Sequence, residues 1–72
     1  MPHYYFDIKN GHRMVDAVGL TCTNDADAIF RARAIAVKIW HDTPSPDPKR
    51  HIAVLNSQGD EVMRVPITNH DA

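Results

Sequence analysis

Residues 24–42, NDADAIFRARAIAVKIWHD, constrain this chain more than any other stretch. The spacing predicts one α-helix through nearly all of it. Asn24 is suited to the N-cap, where its side-chain oxygen can accept from a free backbone N–H of the first turn. Asp25 and Asp27 place negative charge where the helix dipole is positive. Asp27 stands three residues after Asn24, a variant of the capping box, which prefers Glu or Gln there. Lys38 and His41 lie near the carbonyl end, and Pro44 forbids continuation beyond it.

The width of the apolar face is the informative part. At about 100° per residue, Ala28, Ile35, Ile39, Ala32, Ala36, Ile29 and Trp40 form one stripe. Ala26, Val37 and Phe30 carry it past a half circle, leaving a narrow polar arc of Asp27, Arg31, Lys38, His41 and Asp42. Arg33 falls inside the apolar region, where its stem can pack while its head reaches water. A helix resting on one sheet needs an apolar face of about 100° or somewhat more. The excess implies a second covering surface, either loops of the same chain or a partner subunit. Phe30, Arg33, Val37 and Trp40 are the candidate interface residues, and Trp40 is expected to anchor either the core or that interface.

The remaining elements read as strands. His3–Lys9 alternates Tyr4, Phe6 and Ile8 with Tyr5, Asp7 and Lys9. Asn10-Gly11 follows, a strong hairpin signal, because both central residues of a type I′ turn need positive φ. Residues 13–16 return as a short strand. Residues 17–23 are a connection in which Gly19 marks a turn and Leu20 and Cys22 are expected beneath the helix. After the helix, DTPSPDPKR carries three prolines at alternate positions and is neither helix nor central strand. HIAVLN is a nearly continuous apolar run typical of a central strand. SQGD is a turn, and in EVMRVPIT the proline, Pro66, assigns the last strand to an edge. Residues 69–72 read as a frayed tail.

The order is therefore β-β-α-β-β in one α+β domain covering residues 1–72. Numbered in chain order, the strands are expected in a four-stranded antiparallel sheet of order 2-1-3-4. That order makes every neighbour antiparallel and satisfies the right-handed crossover preference. The helix covers one face. The other face is expected to carry Tyr5, Asp7, Ala53, Leu55, Val62 and Arg64, a mixed surface on which a partner could also sit.

Met1 to Asp7, read as M-P-H-Y-Y-F-D, resembles the opening M-P-x-Y-x-F-D of a family of small proteins abundant in alphaproteobacteria. Such chains continue with a short charged hairpin, an alanine-rich helix and a hairpin on a D-x-x-G-type turn. Here Asn10-Gly11, residues 26–40 and residues 56–59 correspond, and Asp16-Ala17-Val18-Gly19 matches the Asp-x-x-Gly that often precedes the helix. The resemblance covers most of the chain and supports the order of elements. It implies a domain of unknown function and transfers no active site.

Composition narrows the function. A chain of 72 residues is short enough to need a staple or an efficient core. The single cysteine, Cys22, cannot form an internal disulfide. A net charge of −1 gives no electrostatic footprint for nucleic acid or for an anionic membrane. No run near the start reads as a signal peptide, and Arg31, Arg33 and Lys38 interrupt the longest apolar stretch, so the expectation is a cytoplasmic protein.

Candidate chemistry is thin. The five histidines, His3, His12, His41, His51 and His70, lack metal-ligand spacing. His3 and His51 could meet only in some strand registers. Cys22 sits just before the helix N-terminus, which lowers thiol pKa, yet no His–Asp pair accompanies it. Asp25/Asp27 and Asp60/Glu61 read as cap and turn. Gly11, Gly19 and Gly59 read as turn glycines rather than a phosphate cradle. Tyr4, Tyr5 and Phe6 could stack bases, but only Lys9, Arg13 and Arg64 are available beside them. The reading is a non-catalytic interaction or regulatory module, homodimeric or bound to another protein, with no catalytic residue, cofactor or metal. The alternative is a nucleic-acid-binding module using the open sheet face.

Overall fold

The computed structural model describes residues 2–9, 12–44 and 49–67. Helix α1 spans Asp25–Asp42, and its first turn is closed by the chain's own side chains. Asn24 Oδ1 accepts from the Asp27 N–H at 2.9 Å, and Asp27 Oδ2 reaches back to the Thr23 N–H at 2.9 Å. This is a capping box displaced by one residue. Arg31 and Asp27 pair at 3.3 Å one turn further on. The Thr43 N–H closes the last turn on Ile39 O at 2.8 Å, and Pro44 follows.

Five strands accompany the helix. β1 is His3–Lys9, β2 Arg13–Met14, β3 Leu20–Thr21, β4 His51–Leu55 and β5 Glu61–Pro66. They are antiparallel in the order β2-β1-β4-β5, with β3 sharing the outer edge of β1 with β2. The four expected strands hold their expected neighbours, and β3 is an addition. The second strand ends at Met14, earlier than the expected 13–16. The register explains both changes. Ile8 pairs with Met14 and Tyr4 with Leu20, so six steps of the returning chain face four steps of β1. The surplus loops out between β2 and β3. Leu20 is consequently a strand residue and 39% exposed, not tucked beneath the helix, whereas Cys22 is buried at 1%.

The core lies between α1 and one face of the sheet. Phe6 stands beside Val54, Ile8 beside Ile52, and Ile52 beside Val65, with Tyr4 and Ile67 extending the layer. Ala28, Ala32 and Ala36 are buried along the centre of the helix, flanked by Ile29, Ile35, Ile39 and Trp40. Three methyl-sized contacts let the helix settle close on the sheet, so the longer flanking residues pack down on either side. The Tyr4 hydroxyl donates to Asp25 Oδ1 and pins β1 to the first turn of α1. That hydrogen bond to a carboxylate, with burial second, pushes the phenol up to about 12.

The outer sheet face differs from its expected composition in two places. Leu55 pairs with Glu61 and Val54 with Met63, so Val62 is the extra residue of a β-bulge. The bulge turns Val62 toward the core and leaves Met63, its neighbour, in part exposed. Asp7 and Ala53 also fail to be open surface, because each is only 2% exposed. Pro66 lies on β5, which pairs with β4 alone, as an edge proline should. The expected turn at 10–11, the middle of the proline-rich loop at 45–48 and the tail at 68–72 lie outside the described residues.

Candidate interaction surface

The outer surface of α1 gathers apolar side chains that are largely exposed. Phe30 is 73% exposed and Val37 51% exposed, two turns further along nearly the same line of the helix. Arg33 is exposed between them. Trp40 parts company with these three. It is half-buried and packs against the core, so of the four candidate interface residues the structure brings together Phe30, Arg33 and Val37. The sequence pattern merged two faces here, one on the sheet and one in solvent.

A second apolar feature was not among the expected ones. α1 packs over β4 and β5, not centrally over the sheet. The β1–β2 side is therefore less closely covered, and an open groove of about 290 Å³ runs along it. Phe6 and Ile8 from β1 form its floor, Ile35 from α1 one wall, and Met14, Val15 and Asp16 the other. The sequence places Val15 on the return strand at 13–16, but that strand ends at Met14, so Val15 lines the groove from the connection.

Two aspartates hold that second wall in place. Asp16 Oδ1 accepts from the Val18 and Gly19 N–H groups at 3.0 and 2.9 Å, and Oδ2 from the Phe6 N–H at 3.2 Å. The last bond fills the gap that β2 and β3 leave on the edge of β1. Burial alone would raise the Asp16 pKa, but the three amide donors outweigh it and hold the carboxyl below its usual value. Asp7 supports the same segment from within the sheet. Its Oδ1 accepts from the Asp16 N–H at 3.1 Å and its Oδ2 from Arg13 at 3.1 Å. Gly19 takes φ of +73° at the end of the turn, against His3 and the Tyr4 carbonyl. His3 Nε2 lies 2.8 Å from Val18 O, which places the imidazole N–H there as donor. Asn56-Ser57-Gln58-Gly59 repeats the device before β5. Asn56 Oδ1 accepts from Gln58 and Asp60, and Gly59 has φ of +85°.

The remaining candidates are dispersed. His3 pairs with Thr21 at one end of β1, and His51 pairs with Lys9 at the other, so the register keeps these two apart. Among the described residues no group of three or more His, Cys, Asp or Glu is placed to hold a metal ion. Burial, then the nearby Asp27 carboxylate, pushes the Cys22 thiol up, against the lowering expected of a helix N-terminus. Tyr5 packs edge-on against His3, with ring centres 5.1 Å apart. Two of the three cations named for that sheet face are paired, Arg13 with Asp7 and Arg64 with Glu61. Among the described residues no helix is long and apolar enough to cross a membrane.

Fold and surface together define a small two-layer α+β domain in which one alanine-seated helix covers an antiparallel sheet and presents apolar side chains outward. The chain belongs to the family described as Domain of unknown function (DUF6894), whose model matches residues 3–68. No curated protein and no solved structure matches it.

Proposed function

We propose that this domain is a non-catalytic protein-interaction module that works as a homodimer through the outer face of α1. The observation that carries the reading is the exposure of Phe30 with Val37 on one line of the helix. Large apolar side chains are enriched at the centres of interfaces, and one self-complementary patch serves both subunits of a two-fold dimer. The small core adds support, since a short chain gains stability from a second subunit. The polar groups nearest to chemistry have structural tasks: Asp7 and Asp16 hold the β2–β3 connection, and Tyr4 and Asp25 tie strand to helix. Pairing of Arg13 and Arg64 with carboxylates favours protein contact over a nucleic-acid platform on the sheet.

Light scattering over a dilution series tests the reading. The expected result is a dimer mass that falls to the monomer on dilution. Val37→Asp is expected to give monomer throughout, because it buries an unpaired carboxylate in the contact. Its circular dichroism should be unchanged, because the side chain is exposed in the isolated domain. Monomer mass for the unaltered protein at the highest concentration overturns the proposal.

A further inference from the structure

The geometry points to the partner of the α1 outer face being a second copy laid antiparallel, with Phe30 of each copy against Val37 of the other; this rests on the homodimer reading and adds its orientation and register. Two features fix that register. The first is the apolar pair. Phe30 and Val37 are two turns apart, and in an antiparallel two-fold arrangement each meets the other's counterpart. The axis then passes between Arg33 and Ala34, and the small Ala34 side chain allows the helices to approach closely there.

The second feature is charge. Asp27 and Lys38 lie on the same flank of α1, at opposite ends. A two-fold perpendicular to the helices brings like flanks together and reverses their ends. The register set by Phe30 and Val37 places Lys38 of one copy within two residues of Asp27 of the other, about 3 Å along the axis. Asp27 presents a settled negative charge, because the Thr23 N–H and Arg31 hold its carboxylate ionised. Parallel pairing would instead put like flanks on opposite sides of the pair, so that Lys38 and Asp27 of the two copies do not meet, and would align the two helix dipoles.

Arg33 gives the arrangement a signature. It lies on the other flank, beside its own symmetry mate, so the two guanidinium groups repel. Removing that charge should therefore strengthen the pairing. An acidic partner of any other kind would show the reverse.

Cysteine cross-linking separates the possibilities. Phe30→Cys and Val37→Cys chains are mixed in equal amounts and equilibrated with oxidised and reduced glutathione; Cys22, at 1% exposure, stays out of the exchange. The expected product is the mixed disulfide joining position 30 to position 37, in excess over either symmetric one. Arg33→Gln in the otherwise unaltered chain is expected to tighten self-association about two- to fivefold, the effect of relieving an exposed like-charge contact. Symmetric disulfides in excess mean parallel pairing and overturn the inference. Self-association without cross-linking at either position, or weakened by Arg33→Gln, also overturns it while leaving the homodimer in place. Monomer mass at every concentration overturns both.

Discussion

Gly19 and Gly59 share a backbone conformation and differ in their surroundings, which makes them a controlled pair. Both take positive φ, +73° and +85°. A left-handed conformation costs an L-residue about 1–2 kcal/mol. Replacing glycine also narrows the unfolded ensemble, which returns about 0.4–1 kcal/mol. Gly59→Ala should therefore cost about 1 kcal/mol, since a Cβ there meets nothing within 4 Å. At Gly19 a Cβ would lie 2.5 Å from His3 Nε2 and 2.6 Å from the Tyr4 carbonyl oxygen. The imidazole can move only by giving up its hydrogen bond to Val18 O, a net loss of about 1 kcal/mol. The carbonyl belongs to β1 where it pairs with β3, and cannot retreat without disturbing that two-residue ladder, at about another 1 kcal/mol. Gly19→Ala is thus expected to cost about 3 kcal/mol in all. A chain of this length has a total stability of only about 4–11 kcal/mol. With a urea slope near 1 kcal/mol/M, the midpoints should fall by about 3 M for Gly19→Ala and about 1 M for Gly59→Ala. Equal shifts for the two variants would refute the role assigned to the His3–Gly19 contact.

Asp16 and Asp27 have folded pKa values below the unfolded carboxylate value of about 3.9. Their contribution to stability is therefore complete above that pH and is lost as pH falls below it, so urea midpoints should drop on acidification below about 4. Asp16→Asn should flatten that slope, and an unchanged slope counts against the amide cradle. The Tyr4 phenol is raised to about 12, so its contribution is present below pH 10 and lost as pH climbs toward 12. Tyr4→Phe should remove that alkaline fall, measured by denaturant midpoint at each pH. Trp40 is half-buried whereas Ile52 is 0% exposed. Trp40→Ala is expected to cost about 2–3 kcal/mol and Ile52→Ala about 3–4 kcal/mol. The opposite ranking in chemical denaturation would show that Trp40 is enclosed by something more than this domain.

The helix was legible because every local signal in it agreed: cap, period and stop. The central strands were legible for a similar reason, β1 by its alternation and β4 by its continuous apolar run, each bounded by turn residues or prolines. The segment from Arg13 to Cys22 was legible only in part: the strand starting at Arg13, the turn at Gly19 and the buried Cys22 were expected, and the β3 ladder with exposed Leu20 was not. Two residues of ladder at either end give no periodicity to find, and the turn between them depends on Asp16 reaching a main-chain amide ten positions earlier. No pattern along the chain encodes that bond. The inward turn of Val62 escaped for a related reason, since a bulge shifts the alternation by one residue and leaves composition untouched. The helix-face candidates were half legible. Breadth of the apolar arc indicated more apolar face than one sheet covers, but assigning Trp40 to the sheet and Phe30 to solvent needed the lateral position of α1. The groove at Phe6 and Ile8 follows from that same offset.

The bond from the Phe6 amide to Asp16 has a consequence for how the domain opens. A central strand normally shields its amides from solvent exchange until the whole sheet comes apart. Here one such amide is shielded by a side chain on a connection held by a few hydrogen bonds. If residues 12–21 lift away, the pairing of β1 with β4 and of β4 with β5 is untouched, and the Phe6 proton becomes free to leave. Phe6 should then exchange at the rate of the connection while Asp7, whose amide points toward β4, exchanges at the rate of the sheet. Adjacent residues in one strand would report two different opening free energies.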